Sequence, residues 1–242
     1  MDRTQVWAHR GFSKVAPENT MAAFNLAARA GADGVELDVQ MTRDGVLVVI
    51  HDERLERTTD GGGWVKDYTW VEVKSLDAGS WFSPAYRGER VPSLREVLEW
   101  IRDTDMVVNI ELKNSVVRYR GMEEKGVEEV ERLGLERRVV FSSFNHESLR
   151  QLHLYRPQLE LAALYDKPLF EPWNYALHLG VTGLHPHHSL VTEKMVTSCR
   201  AYGIRVRTYT VDHSNLMRRF LAVGVDAVIT NLPDRLRRLR DG

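Results

Sequence analysis

The stretch Trp7-Ala8-His9-Arg10-Gly11, with Ala16-Pro17-Glu18-Asn19-Thr20 just behind it, decides how the chain reads. An apolar run from Val6 to Ala8 stops at a histidine, an arginine and a glycine. That pattern predicts a strand delivering polar side chains at its C-terminal tip. Gly11 lets the backbone turn sharply there, because it lacks a Cβ. From Met21 to Ala30 the spacing is helical, with Met21, Phe24 and Ala28 on one side. Asn19 or Thr20 caps that helix, behind a proline that breaks the loop. Strand, polar tip and helix in this order put chemistry at the C-terminal end of a strand.

The same alternation runs outward along the chain. Strands are predicted at Val6–His9, Gly34–Gln40, Val107–Lys113, Val139–Phe144, Glu160–Tyr165, Thr182–His185, Arg205–Thr210 and Ala227–Thr230. Helices are predicted at Met21–Ala30, Leu94–Arg102, Met122–Leu133, Glu147–Tyr155, Thr192–Tyr202 and Leu216–Val223. Alternating strands and helices imply a parallel sheet, and eight such units imply closure into a (β/α)8 TIM barrel. The fifth connection, around Lys167-Pro168-Leu169-Phe170, is expected to be short with a weak helix. The tail Leu236-Arg237-Arg238-Leu239-Arg240 reads as the closing helix.

Two segments depart from the alternation. Arg43-Asp44-Gly45 between two apolar runs is a hairpin signal. It sets Leu47–Ile50 antiparallel to the second strand, with Gln40 near Val48 and Asp38 near Ile50. His51 then returns toward Glu36 and Asp38. Residues 53–92 follow, rich in glycine and aromatics, including Trp64, Trp70, Trp81, Phe82 and Tyr86. This stretch is long for a plain loop. It is expected to be a small insertion over the barrel mouth, within a single domain spanning 1–242.

Bulk composition narrows the function classes. A length of 242 residues suits one α/β barrel, and 43% hydrophobic residues supply its core. A formal charge of −1 carries no basic excess, so no nucleic-acid partner is expected. The single cysteine, Cys199, allows neither an internal disulfide nor a thiolate metal cluster, and is expected to pack inside a helix. No signal peptide fits ahead of the first strand, and no apolar run approaches the ~20 residues of a membrane span. The expectation is a soluble, cytoplasmic protein without membrane insertion. Its oligomeric state is left open.

Chemistry concentrates at strand ends. Glu36 and Asp38 lie two apart and therefore share a face, while Val35, Leu37 and Val39 take the other. Glu111 and Lys113 repeat the arrangement on the next parallel strand. Two inward carboxylates repel unless something cationic lies between them. Three oxygen ligands suit a hard divalent cation, Mg²⁺ or Ca²⁺; the competing reading is salt bridging of Glu111 to Lys113 or Arg10. His9 and His51 each end an apolar strand, and imidazole exchanges protons in either direction near pH 7. Arg10 is a planar fork suited to phosphate, and Lys113 adds a point charge. A metal, an arginine and a lysine around one cavity describe an anionic substrate such as a phosphate ester.

Taken together, His9-Arg10-Gly11, Pro17-Glu18-Asn19-Thr20, Glu36-x-Asp38, His51-Asp52 and Glu111-x-Lys113 strongly resemble the glycerophosphodiester phosphodiesterase family. The resemblance continues through Gly79-Ser80-Trp81-Phe82, Val91-Pro92-Ser93-Leu94, Ser142-Ser143-Phe144 and Tyr209-Thr210-Val211-Asp212, so it spans nearly the whole chain. It implies a barrel with a small insertion after the second histidine. It implies hydrolysis of glycerophosphodiesters to sn-glycerol 3-phosphate and an alcohol, with a bound divalent cation, in glycerol and lipid metabolism. Carried over by position, Glu36, Asp38 and Glu111 are metal ligands and His9 and His51 the catalytic pair. Arg10 binds phosphate and Lys113 supports it. Tyr209 stands at the alcohol or glycerol pocket, where tryptophan is frequent. Asp212 replaces a frequent asparagine, and Ala227 and Asn231 depart from the usual small-residue and acidic choices near the last strand. None of these departures is expected to touch the metal-and-histidine set.

Two other functions compete. A lysophospholipase D or C-type phosphodiesterase would share the histidines and need an apolar rim, for which Trp64, Trp81, Phe82, Leu169 and Phe170 are available. A non-catalytic phosphate-binding barrel would have lost a histidine or a carboxylate, yet all five are present.

Overall fold

The computed structural model describes residues 3–242. Met1 and Asp2, on which the reading of the chain's start partly rests, lie outside the described residues. The first apolar run forms β1 (Gln5–His9), and Thr20 caps α1 (Met21–Arg29) by accepting from the Ala23 N–H. The hairpin follows as β2 (Gly34–Met41) and β3 (Leu47–Val49). A short helix α2 (Trp70–Ser75) lies within residues 53–92, and α3 (Leu94–Arg102) opens on a Ser93/Glu96 capping box. The rest alternates: β4 (Val107–Leu112), α4 (Met122–Arg132), β5 (Val139–Ser143), α5 (His146–Tyr155), β6 (Glu160–Tyr165) and α6 (Pro172–Leu179). Then come β7 (Gly183–Pro186), α7 (Glu193–Ala201), β8 (Arg205–Thr208), α8 (Ser214–Val223), β9 (Ala227–Thr230) and α9 (Pro233–Asp241).

Eight of these strands are parallel and close a barrel in the order β1, β2, β4, β5, β6, β7, β8, β9, because β1 pairs with both β2 and β9. This is a (β/α)8 TIM barrel. β3 adds to β2 antiparallel, with Gln40 opposite Val48, and the Ile50 N–H donates to Asp38 O. The register expected from Arg43-Asp44-Gly45 is therefore the register found. Along β2, Val35, Leu37 and Val39 join Phe24, Leu98, Ile110 and Phe220 in the layer between strands and helices. Their neighbours Glu36 and Asp38 must face the barrel interior, since the strand period is two. Cys199 is buried in α7.

Two local results need physical reasons. Gly11 adopts φ +81°, and a Cβ there would lie 2.7 Å from the Ala23 backbone, so α1 could not pack so close behind a larger residue. Where a weak helix was expected, α6 is an eight-residue helix with Pro172 in its first turn and Gly180 closing it in the left-handed region. Pro172, Ala176 and Leu179 face inward at helical spacing, but the apolar Trp173, Tyr175 and Leu177 between them blur the periodicity.

Residues 53–92 build a small apolar cluster of their own. Leu55, Val65, Val73, Ala78 and Val91 pack with Val48 and Ile50 of the hairpin. The Val49 N–H donates to Pro92 O, and the Tyr86 hydroxyl donates to Val15 O at 2.8 Å, tying the segment to the loop after β1. Among the described residues no helix is long and apolar enough to cross a membrane.

Candidate active site

Neighbouring strands bring the acidic residues together. Asp38 on β2 is in register with Glu111 on β4, and His9 on β1 with Glu36 on β2. Glu36, Asp38 and Glu111 are buried, and each offers an oxygen within 4.8 Å of the others. Burial pushes Glu36 well above the usual carboxylate range, and repulsion from Asp38 and Glu111 adds to it. Burial also raises Glu111, against the pull of Lys113. Asp38 goes the other way: burial would lift it, but Arg10, His51 and Lys113 hold it below the usual range.

Two cations brace this cluster. Arg10 Nε lies 3.1 Å from Asp38 Oδ2, and its Nη1 donates to Glu18 Oε1 at 2.8 Å. Lys113 Nζ donates to Glu111 Oε1 at 2.9 Å and stands 4.0 Å from Asp38 Oδ1. The salt bridge weighed as an alternative thus exists, yet it leaves the cluster incomplete. Among the described residues Asp38 Oδ1 is buried without a hydrogen-bond partner, which is costly unless something else meets it. Three carboxylates, one with an orphaned oxygen, fit a hard divalent cation.

The two histidines are anchored alike, each through Nδ1. His51 Nδ1 is 2.6 Å from Asp52 Oδ1, and its Nε2 lies 3.2 Å from Lys113 Nζ. The Gln40 side chain donates to His51 O at 2.9 Å, fixing the hairpin end against β2. His9 Nδ1 is 2.7 Å from Asn231 Oδ1, and its Nε2 lies 3.9 Å from Glu36 Oε2. Burial, reinforced by the Arg10 charge, pushes His9 down to about 4, so its imidazole is neutral at pH 7.

An outer ring ties the parts together. Arg57 clamps Asp52 (Nε to Oδ2, 2.6 Å) and reaches Glu18 (Nη2 to Oε1, 2.8 Å), which holds Arg10. Burial would raise Asp52, but the Arg57 and His51 hydrogen bonds outweigh it and hold Asp52 at about 2. Asn19, at φ +57°, donates from Nδ2 to Asp38 Oδ2 at 2.9 Å. Tyr209 stands just beyond β8. Its hydroxyl donates to Tyr165 O at 3.2 Å, and its ring packs edge-on to Phe144 and His187. Burial, with the Glu111 charge next, raises its hydroxyl above the usual phenol range.

One expectation is overturned. The departures at 212 and 231 were expected to leave the metal-and-histidine set untouched, but Asn231 bonds His9 directly and Asp212 bonds Asn231. Sequence reasoning gave no role in the site to Asp212 and Asn231, nor to Glu18, Asp52 and Arg57, and read Asn19 only as a possible helix cap. The motif positions of Glu18, Asn19 and Asp52 and the family departures at Asp212 and Asn231 signalled five of them; nothing signalled Arg57. A cavity of about 470 Å³ opens at the opposite end of the barrel between Trp7, Glu160, Arg205 and Arg207. It holds none of the acidic cluster, and barrel chemistry is carried at strand C-termini.

The model of the glycerophosphoryl diester phosphodiesterase family matches residues 9–235. The chain belongs to that family. A glycerophosphodiester phosphodiesterase of Caldanaerobacter subterraneus subsp. tengcongensis is 48% identical over 97% of this chain and 96% of its own. One from Bacillus altitudinis is 43% identical over 98% of each. Among solved structures, an Oleispira antarctica phosphodiesterase in complex with the product sn-glycerol-3-phosphate superposes with a TM-score of 0.88 at 33% identity, covering 99% of this chain and 98% of that one. Membership makes this chain an enzyme, a phosphoric diester hydrolase, and sets aside the non-catalytic barrel.

Proposed function

We propose that the enzyme hydrolyses glycerophosphodiesters to sn-glycerol 3-phosphate and an alcohol in the cytoplasm. Glu36, Asp38 and Glu111 hold a divalent cation, Mg²⁺ or Ca²⁺, and His9 and His51 are the acid–base pair. Residues 53–92 cover the mouth of a single barrel domain. The observation that carries this reading is the triad of buried carboxylates within 4.8 Å, with Asp38 Oδ1 orphaned and two anchored imidazoles alongside. The product named for the Oleispira relative supports the substrate class.

Glu36, Asp38 and Glu111 would hold the cation, which would supply positive charge to offset that on the phosphoryl oxygens. Arg10 and Lys113 hold the remaining oxygens. One imidazole takes the proton of the nucleophile, which is water or the neighbouring glycerol hydroxyl. The other imidazole protonates the departing alkoxide. Asp52 keeps the Nδ1 proton on His51, so Nε2 is the atom that exchanges protons. Tyr209 and Phe144 wall the alcohol or glycerol side.

The test is His9→Ala and His51→Ala on an ordinary substrate and on one with a good leaving group. Each variant loses at least the ~10²-fold expected for general acid–base catalysis on the ordinary substrate. The histidine whose loss the better leaving group rescues is the acid. Two variants with unchanged turnover overturn the assignment. A lysolipid is the second reading, favoured by Phe170, 91% exposed on the loop after β6, and by exposed Val116, Phe144 and Trp81. Turnover of a lysophospholipid against glycerophosphocholine separates the two.

A further inference from the structure

Asn231 can present its amide to His9 in one sense only. Its Nδ2 is 2.7 Å from Asp212 Oδ2, and its backbone N–H donates to Asp212 Oδ1 at 2.9 Å. The Thr230 hydroxyl donates to Asp212 Oδ1 as well, at 3.0 Å, so the carboxylate is held in place. A carboxylate only accepts, so the Asn231 NH2 must face Asp212 and its Oδ1 must face His9. Flipping the amide would set two acceptors 2.7 Å apart.

Asn231 Oδ1 then decides where the proton of His9 sits. The Ser13 hydroxyl lies 2.7 Å from that oxygen and 2.8 Å from His9 O, but it has one hydrogen to give. His9 Nδ1, at 2.7 Å, must therefore carry a hydrogen to meet an oxygen. That leaves the lone pair on Nε2, the nitrogen on the side of Glu36.

We propose that Asp212 and Asn231 are positioning residues for the reaction, which fix the His9 imidazole with its proton on Nδ1 and its lone pair on Nε2. Neither touches the reacting atoms. Asp212 acts through Asn231, and Asn231 acts through His9. The chemical consequence rests on the acid–base pair proposed above, with His9 as its base. The placement of the proton does not. An imidazole held the other way offers N–H where a lone pair is needed, and so neither accepts nor relays the proton.

The experiment reads both. In ¹⁵N-histidine-labelled enzyme at pH 8, long-range ¹H–¹⁵N correlations report the tautomer of each neutral imidazole, with His9 assigned by its loss in His9→Gln. The expected pattern for His9 is protonated Nδ1 and bare Nε2. An Nε2–H pattern in the native enzyme overturns the proposal before any variant is made. In Asn231→Ala and in the near-isosteric Asp212→Asn, the His9 signal shifts toward Nε2–H. Turnover then falls roughly 10- to 100-fold, the usual size for a residue behind a functional histidine, while KM stays within about threefold. In Asn231→Asp alone, two carboxylates meet at hydrogen-bond distance. Adding Asp212→Asn to it restores one donor facing one acceptor, so the double variant recovers the Nδ1–H signal and at least tenfold of the lost turnover. Unchanged turnover in folded single variants, or a double variant no better than Asn231→Asp, overturns the proposal. If the tautomer behaves as stated but His9→Ala keeps full activity, it is the acid–base assignment that fails.

Discussion

Replacing Glu36 with glutamine should stabilise the cation-free protein and cripple the enzyme, two effects of opposite sign from one change. Glu36, Asp38 and Glu111 lie within 4.8 Å of one another in a buried cluster. At that separation and an effective dielectric of about 20, Coulomb's law puts the repulsion of a carboxylate pair at about 3 kcal/mol. Protonation sets a ceiling of similar size. A carboxyl kept neutral up to pH 7, instead of ionising at 4.5, forfeits about 3 kcal/mol at about 1.4 kcal/mol per pH unit. Arg10 offsets part of this, so the expected gain in Glu36→Gln is about 1–2 kcal/mol. Glutamine keeps an oxygen for the Arg10 N–H, which Glu36 Oε2 accepts at 3.0 Å.

In excess chelator at pH 7, the variant should melt roughly 2–8 °C above the native protein. The pH dependence gives the sign. Because the folded Glu36 carboxyl is raised, its contribution is fully present below 4.5 and is lost as pH rises through the folded value. The gap between variant and native should therefore be small near pH 4.5 and widen toward pH 8. With Mg²⁺ or Ca²⁺ the order reverses, since the native cluster gains more from the cation, and turnover of the variant drops by roughly 100-fold or more. Differential scanning fluorimetry across pH, with and without cation, makes the measurement. A variant that melts below the native protein in chelator, or a gap that ignores pH, refutes the reasoning.

Three further outcomes are expected. Arg207→Met breaks a buried pair with Glu160 beneath the barrel, with Arg207 stacked 4.7 Å over Trp7. Because Glu160 keeps Arg205, the loss should be near the lower end for such pairs, about 3 kcal/mol, seen by denaturant melts with kcat unchanged. Thr20→Ala removes the cap of α1 and should lower stability by about 1 kcal/mol in the same assay. Arg57→Ala frees Asp52. The stability that Asp52 contributes is present above 3.8 and lost as pH falls toward about 2, so the variant should lose less stability across that window, as read by acid titration of the melt.

The barrel and its acidic cluster were legible because both obey local periods. Glu36 and Asp38 share a face by the strand period of two, and the turn at Arg43-Asp44-Gly45 fixes Gln40 opposite Val48 without knowledge of the rest. What was not legible depends on distant partners. His9 meets Asn231 across 222 residues, and nothing local in either segment announces the other. Asp52, Arg57 and Glu18 likewise join only once the hairpin end has folded back beside the loop after β1. The helix α6 was hidden for the opposite reason: exposed Leu177 lies on its outer face beside Asn174 and His178, so the polar stripe that would mark the period is broken.

The inner charges of the site carry one more consequence. Three carboxylates and two cationic side chains, Arg10 and Lys113, leave one negative charge in excess when all are ionised. A phosphodiester brings a further negative charge and meets repulsion. Arg10 is also held by carboxylates, pairing through Nε with Asp38 at 3.1 Å and donating Nη1 to Glu18, so a phosphate must compete for it. A divalent cation in the proposed site turns that net negative charge into a single positive one, which matches the diester, and relieves Arg10 and Lys113 of neutralising carboxylates. Cation and substrate then favour each other by electrostatics alone, and linkage makes the effect mutual. Substrate should tighten the cation by the same factor by which the cation tightens substrate.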